Sequence, residues 1–121
     1  MPTYFVSPPD RPEWAEDPQA FAAALSEHWP SAEVREAAED STMALYFELA
    51  DALGALDRDG QAVNVDGEVE VAANVAAWWR ARVPDAVDLI FYDEGYSADV
   101  PVEPGADGDA VASAYLAAAS A

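Results

Sequence analysis

The chain contains no cysteine and no lysine, one histidine and one isoleucine. Without thiols there is no disulfide framework, no cysteine-ligated zinc or iron–sulfur site, and no thiol nucleophile. His28 is the only imidazole available as a base or metal ligand. Positive charge is scarce: all five basic residues are arginine (Arg11, Arg35, Arg58, Arg80, Arg82), against 24 Asp and Glu, for a net charge of −19. Such a balance repels phosphate backbones and anionic lipid surfaces, so neither nucleic acid nor membrane is an expected partner. The glycine-rich nucleotide loops are missing, and no serine lies in a Gly-x-Ser-x-Gly setting. The opening "MPTYFVSPPDRPEW" has no basic region followed by a long apolar stretch, and the alanine run at 117–121 is far too short to span a bilayer. The expectation is a cytoplasmic protein without a bound cofactor or metal.

What is present argues for a packed core. A length of 121 residues fits one domain, 1–121, and burial at this size suffices without covalent staples. Apolar residues make up 52%, with four Trp, five Tyr and four Phe, which excludes a disordered chain. Alanine accounts for 28 residues and buries little area, so Trp, Phe, Leu and Val must supply most of the core volume.

"TYFV", Thr3–Val6, reads as a strand and the proline-rich "SPPDRPEW" as a loop. Asp17-Pro18 is a helix start, followed at helical spacing by Phe21, Leu25, His28 and Trp29 and stopped by Pro30. "SAEVREAAED", Ser31–Asp40, is polar and alanine-rich and suggests a short surface helix. In Thr42–Leu49, strict alternation sends Met43, Leu45, Phe47 and Leu49 to one side and Tyr46 to the other. "ALGALDRDGQAVNVDG" reads strand, turn, strand, with the turn at Asp57–Gly60. Asp66 is placed to cap the next helix, which carries Val71, Val75, Trp78 and Trp79, has Arg80 and Arg82 in its last turn, and ends at Pro84. "VDLIFY" and "YSADVPV" read as a strand pair, and Asp107 or Asp109 opens a last helix with Val111, Tyr115 and Leu116. The order is that of a ferredoxin-like α+β plan (β-α-β-β-α-β), an antiparallel sheet with two helices on one face, plus an extra C-terminal strand and helix.

Candidate sites follow from this plan. Asp57, Asp59 and Glu68 match three positions of a calcium loop, but Gln61 and Ala62 stand where an oxygen ligand and glycine belong, so a hairpin turn is expected. Asp93-Glu94-Gly95 reads as a hairpin tip with Gly95 at positive φ. A weak oxygen-rich cation site would need Asp93, Asp99 and Glu103 to converge. Tyr4, Tyr46 and Tyr92 on one sheet face would suit base stacking, which the charge rules out.

If Leu89 and Phe91 face the helices, Ile90 and Tyr92 face away, as does Tyr46, leaving a face too apolar to serve only solvent. Three coverings compete: the C-terminal helix, a second copy in a homodimer, and a partner protein or small ligand. Tyr46, Ile90 and Tyr92, with Trp79 as the peripheral member of the Trp78-Trp79 pair, are the candidate binding residues. The preferred function is a non-catalytic interaction module, of the inhibitor or immunity type, that engages a basic protein. The alternatives are a cofactor-free enzyme or small-ligand binder with a pocket at the sheet face, using His28 or Tyr92, and an acidic surface that reflects salt adaptation alone.

Overall fold

Period-two alternation in most of the apolar runs produces strands with one buried and one open side. The computed structural model describes residues 2–120. Its strands are β1 (Thr3–Ser7), β2 (Glu33–Glu36), β3 (Met43–Leu49), β4 (Ala52–Asp57), β5 (Val63–Asp66), β6 (Ile90–Asp93) and β7 (Asp99–Pro101). The helices are α1 (Pro18–His28), α2 (Val69–Arg82) and α3 (Gly108–Ala119). The strands form one antiparallel sheet in the order β2-β3-β4-β5-β1-β6-β7. The α+β class is as expected, but the sheet has seven strands, against six segments read as strands from the sequence, and its order differs from that of the ferredoxin-like plan. Among the described residues, no helix is long and apolar enough to cross a membrane.

Part of the difference lies in β2. Glu33–Glu36 pairs with Tyr46–Glu48 and Leu45 of β3 instead of forming a surface helix. A short isolated helix is marginal in water, whereas a ready strand edge offers backbone partners at once.

The helices cover one side of the sheet. On that side lie Tyr4, Val6, Leu45, Phe47, Leu56, Val63, Val65 and Phe91, all buried against Phe21 and Leu25 of α1, the alanine-rich face of α2, and Val111 and Tyr115 of α3. Aromatic rings fill the bulkiest spaces: Tyr4 stacks on Phe91 with centroids 5.5 Å apart, and Tyr115 meets Tyr4 edge-on at 5.5 Å. Phe47 lies over Gly54, its cross-strand neighbour, so closely that an added Cβ would fall 2.2 Å from the ring.

Two of the three expected helix caps form. Asp17 accepts from the Ala20 N–H at 2.9 Å and Asp107 from the Ala110 N–H at 2.8 Å. Asp66 does not cap α2; it accepts from the Thr3 hydroxyl across the β1–β5 pair, and α2 begins after Glu68 with no side-chain cap. The β4–β5 turn is as read. Asp57 Oδ1 accepts from the Gln61 and Ala62 N–H groups, and position 60 requires glycine twice over, since φ is +70° and any Cβ there would strike the Glu16 backbone. Glu16 itself is buried, and its carboxylate accepts from Arg82 Nε and Nη2, at 2.7 and 3.0 Å.

The other C-terminal arginine of α2 is enclosed. Arg80 is 2% exposed, and its guanidinium donates to the carbonyls of Pro84 (2.6 Å), Val87 (2.8 Å), Val83 (3.2 Å) and Val102 (3.4 Å). It thereby ties the end of α2 to the segments that enter β6 and leave β7.

Candidate functional site: the open sheet face

Parity along each strand decides which side chains reach the face that carries no helix. The register lines up Arg35, Tyr46, Ala55, Asn64, Phe5, Tyr92 and Asp99 as one row across all seven strands. A parallel row holds Glu33, Glu48, Leu53, Asp66 and Thr3. Ser7, Ile90 and Pro101 stand on the other flank of the first row. Tyr46, Ile90 and Tyr92 are thus half-buried on one open face, as the alternation implied, with Tyr46 on β3 separated from the other two on β6 by β4, β5 and β1.

Helix α3 does not cover this face: it packs on α2 and on the helix side of β6 and β7, with Tyr115 against Tyr4 and Phe91. Trp79 is not on any surface. It is 0% exposed beneath α2, while Trp78 is the half-buried member, ringed by Phe21, His28 and Trp29. Trp78 closes the helix rim against Phe21, and Trp79 turns into the core beside Trp14.

Three further readings change. Tyr4 is buried on the helix side, so its neighbour Phe5 supplies the open-face ring of β1. Met43 points outward with the open face, because the β3–β4 register shifts between Met43 and Leu45; its sulfur lies 3.8 Å from Asn64 Nδ2. At the β6–β7 tip, positive φ belongs to Tyr96 (+53°) and not to Gly95.

The face has two zones. Over β1, β6 and the tip, three rings stack: Phe5 on Tyr92 at 5.4 Å, and Tyr92 on Tyr96 at 4.7 Å, with planes within 14° and 11° of parallel. The Tyr92 hydroxyl meets Ser7 Oγ at 2.9 Å. A hydrogen bond with Tyr92 pushes the Tyr96 phenol above its ordinary value, and Tyr96 is 64% exposed despite its aromatic surface. Over β2 to β5 the face forms a groove of about 790 Å³, with Ala55 as a low floor between Tyr46 and Asn64 and with Glu33, Glu48 and Asp66 along one wall. Leu53, 52% exposed, stands in that wall. Arg35 lies over the Tyr46 ring at 5.4 Å.

Asp93 and Asp99 lie on opposite sheet faces, since Asp93 pairs with Tyr4 and Asp99 with Tyr92. Asp93 closes the hairpin by accepting from the Ala98 N–H at 3.2 Å. Burial acts to raise its pKa, but hydrogen bonds from the Ser97 hydroxyl, the Ala98 and Ser97 amides and the Tyr115 hydroxyl outweigh burial and hold it below the usual carboxylate value. Among the described residues no three His, Asp or Glu side chains are grouped to hold a metal ion. His28 is exposed at the end of α1, edge-on to Trp29 at 4.3 Å and away from the open face. Neither His28 nor Tyr92 lines the groove.

Among the described residues only Glu16 and Asp59 have a salt-bridge partner, Arg82 and Arg11. Arg58 is spent on the carbonyls of Ala38, Ser41 and Met43, and Arg80 on the four carbonyls given above.

Phe5, Leu53, Asn64 and Arg35 were not singled out from the sequence, although period-two counting from Tyr46 through the β4 and β5 hairpins would have reached Asn64. In comparison with known proteins, no family model, no curated protein and no solved structure matches the chain.

Proposed function

We propose that this chain is a non-catalytic interaction module that docks its open sheet face on a basic protein, in the manner of an inhibitor or immunity protein. The observation that carries the reading is the uncovered face itself: Tyr46, Leu53, Ile90 and Tyr92 sit beside Glu33, Glu48, Asp66 and Asp99 on one side of the sheet. Apolar anchors with an acidic rim suit a partner surface of opposite charge, which steers encounter and fixes orientation.

The fold is part of the same reading. We take β4-β5-β1-β6, with α1 after β1 and α2 between β5 and β6, as a ferredoxin-like split β-α-β core widened by β2–β3 on one edge and β7 on the other. In support, those four strands are contiguous in the sheet and each is antiparallel to its neighbour, so that β4 runs parallel to β1 with β5 between them and β6 parallel to β5 with β1 between them.

The test exploits two exposed leucines on different sides of the molecule, Leu53 on the open face and Leu116 on α3, 52% and 48% exposed. Immobilised protein is challenged with cell extract at low ionic strength, and bound protein is eluted with a salt gradient. The reading expects a basic protein that is released as salt rises, lost with Leu53→Glu and kept with Leu116→Glu. Retention of nothing at low salt, or equal loss with both variants, removes it. Stability that rises steeply into molar salt would instead favour salt adaptation, because screening removes the self-repulsion of the acidic surface.

A further inference from the structure

Within the open face, the groove over β2 to β5 already holds one cation of its own. Arg35 lays its guanidinium over Tyr46 and makes no ion pair among the described residues, although Glu33 and Glu48 flank it in the adjoining row. Those two glutamates stand directly opposite each other across the β2–β3 pair, an arrangement that destabilises a sheet unless a cation bridges it. The ring at the groove wall, the low Ala55 floor and the uncompensated carboxylates together form a receptor for a planar cation.

Resting on the function proposed above, we infer that this groove receives an arginine side chain of the basic partner. The incoming guanidinium takes Arg35's place over Tyr46 and donates to Glu33 and Glu48, while Arg35 swings to solvent as a displaced place-holder. Arginine is favoured over lysine because a planar guanidinium both stacks on an aromatic face and presents paired donors to carboxylates. Arg35 therefore lowers affinity until it is displaced, as any bound internal competitor does.

The experiment titrates the full chain with a defined probe, the capped peptide Gly-Arg-Gly-Arg-Gly and its lysine counterpart, and follows amide shifts by NMR at low ionic strength. The largest shifts are expected at Tyr46, Ala55 and Asn64, with the arginine peptide the tighter of the two. Arg35→Ala should tighten binding by about two- to five-fold, the worth of one exposed cation–π contact. Glu33→Gln with Glu48→Gln should weaken it more than the charge-matched pair Asp88→Asn with Glu103→Gln, which lies outside the groove. Equal weakening by both pairs, shifts spread over the helix side, or weaker binding with Arg35→Ala overturns the arginine groove and leaves the docking function standing. Absence of binding by either peptide overturns the groove as well, while the extract experiment with the leucine variants separately decides the function.

Discussion

Replacing Arg80 by methionine keeps an unbranched stem of similar volume in the core and removes only the guanidinium. The carbonyls of Pro84, Val87 and Val83, at 2.6, 2.8 and 3.2 Å, then lose a charged donor in a buried site. At about 1–3 kcal/mol for each unpaired carbonyl, the gross loss is roughly 3–9 kcal/mol. Against it stands the several kcal/mol that burying a cation without a carboxylate costs. The favourable direction of the α2 dipole reduces that cost, since Arg80 sits in the last turn among the helix's own terminal carbonyls. A net loss of about 3 kcal/mol is expected, which for this chain length corresponds to a fall in Tm of roughly 10–12 °C.

Thermal and urea unfolding followed by circular dichroism at pH 7 measure this loss. Arg80→Lys, which keeps the charge but not the fork of donors, should lie between wild type and Arg80→Met. Because the group is 2% exposed, the difference between Arg80→Met and wild type should survive molar salt, unlike any effect of surface charge. A methionine variant that melts at or above the wild-type temperature would refute the reasoning. It would mean that desolvation of the guanidinium outweighs its four contacts, as happens when some buried ionic networks are replaced by apolar residues.

Gly54→Ala drives a methyl group into the Phe47 ring and should cost about 1–3 kcal/mol, read as a lowered urea midpoint at unchanged slope. Ala50→Gly acts oppositely. Ala50 holds φ +49° in the two-residue β3–β4 turn, and glycine relieves that conformation, for an expected gain of about 0.5–1 kcal/mol by the same assay. Asp93 has a folded pKa below its unfolded one, so its ionised form stabilises the fold above the unfolded carboxyl value, near about 4, and the benefit is lost as pH falls through the lower folded value. The stability gap between wild type and Asp93→Ala should therefore be full at pH 6 and narrow progressively below pH ~4; a gap that is the same at pH 2.5 and pH 6 would contradict the hairpin-closing role of the carboxylate.

Local chemistry made some of the fold legible. Asp17 and Asp107 cap helices because an Asp side chain reaches the first free amides without help from the rest of the chain. The Asp57–Gly60 turn is likewise self-contained. Tyr46, Ile90 and Tyr92 could be placed on one face because alternation fixes parity within a strand. What failed was set by neighbours. β2 exists because β3 offers it an edge, against the propensity of an alanine-rich segment. Met43 faces outward because of an irregularity in the pairing with β4, which no count along β3 alone reveals. Tyr4 and Phe5 are both aromatic, so alternation cannot say which turns to the helices; the rings of Phe91 and Tyr115 decide it. Arg80 and Arg82 looked like equivalent helix-end cations, and only the return of the chain at Val87 and Val102 encloses one of them.

The acidic surplus gains a meaning from where the sheet leaves itself uncovered. An exposed antiparallel sheet is prone to pair with a copy of itself, along an edge or face to face. Here β7 is three residues long and ends in Pro101, which has no amide hydrogen to offer, and the β2 edge carries Glu33 and Glu36. Two β2 edges brought together would oppose like charges in the ladder, and two open faces would bring Glu33, Glu48, Asp66 and Asp99 against their own copies. The same groups attract a cationic surface. On the proposed function, apolar area that would otherwise drive self-association is kept available by charge for a partner of the opposite sign, a selectivity that depends on repulsion as much as attraction. Charge alone would make the protein merely soluble, and the apolar face alone would make it aggregate; the rows across β2 to β7 put both on one surface.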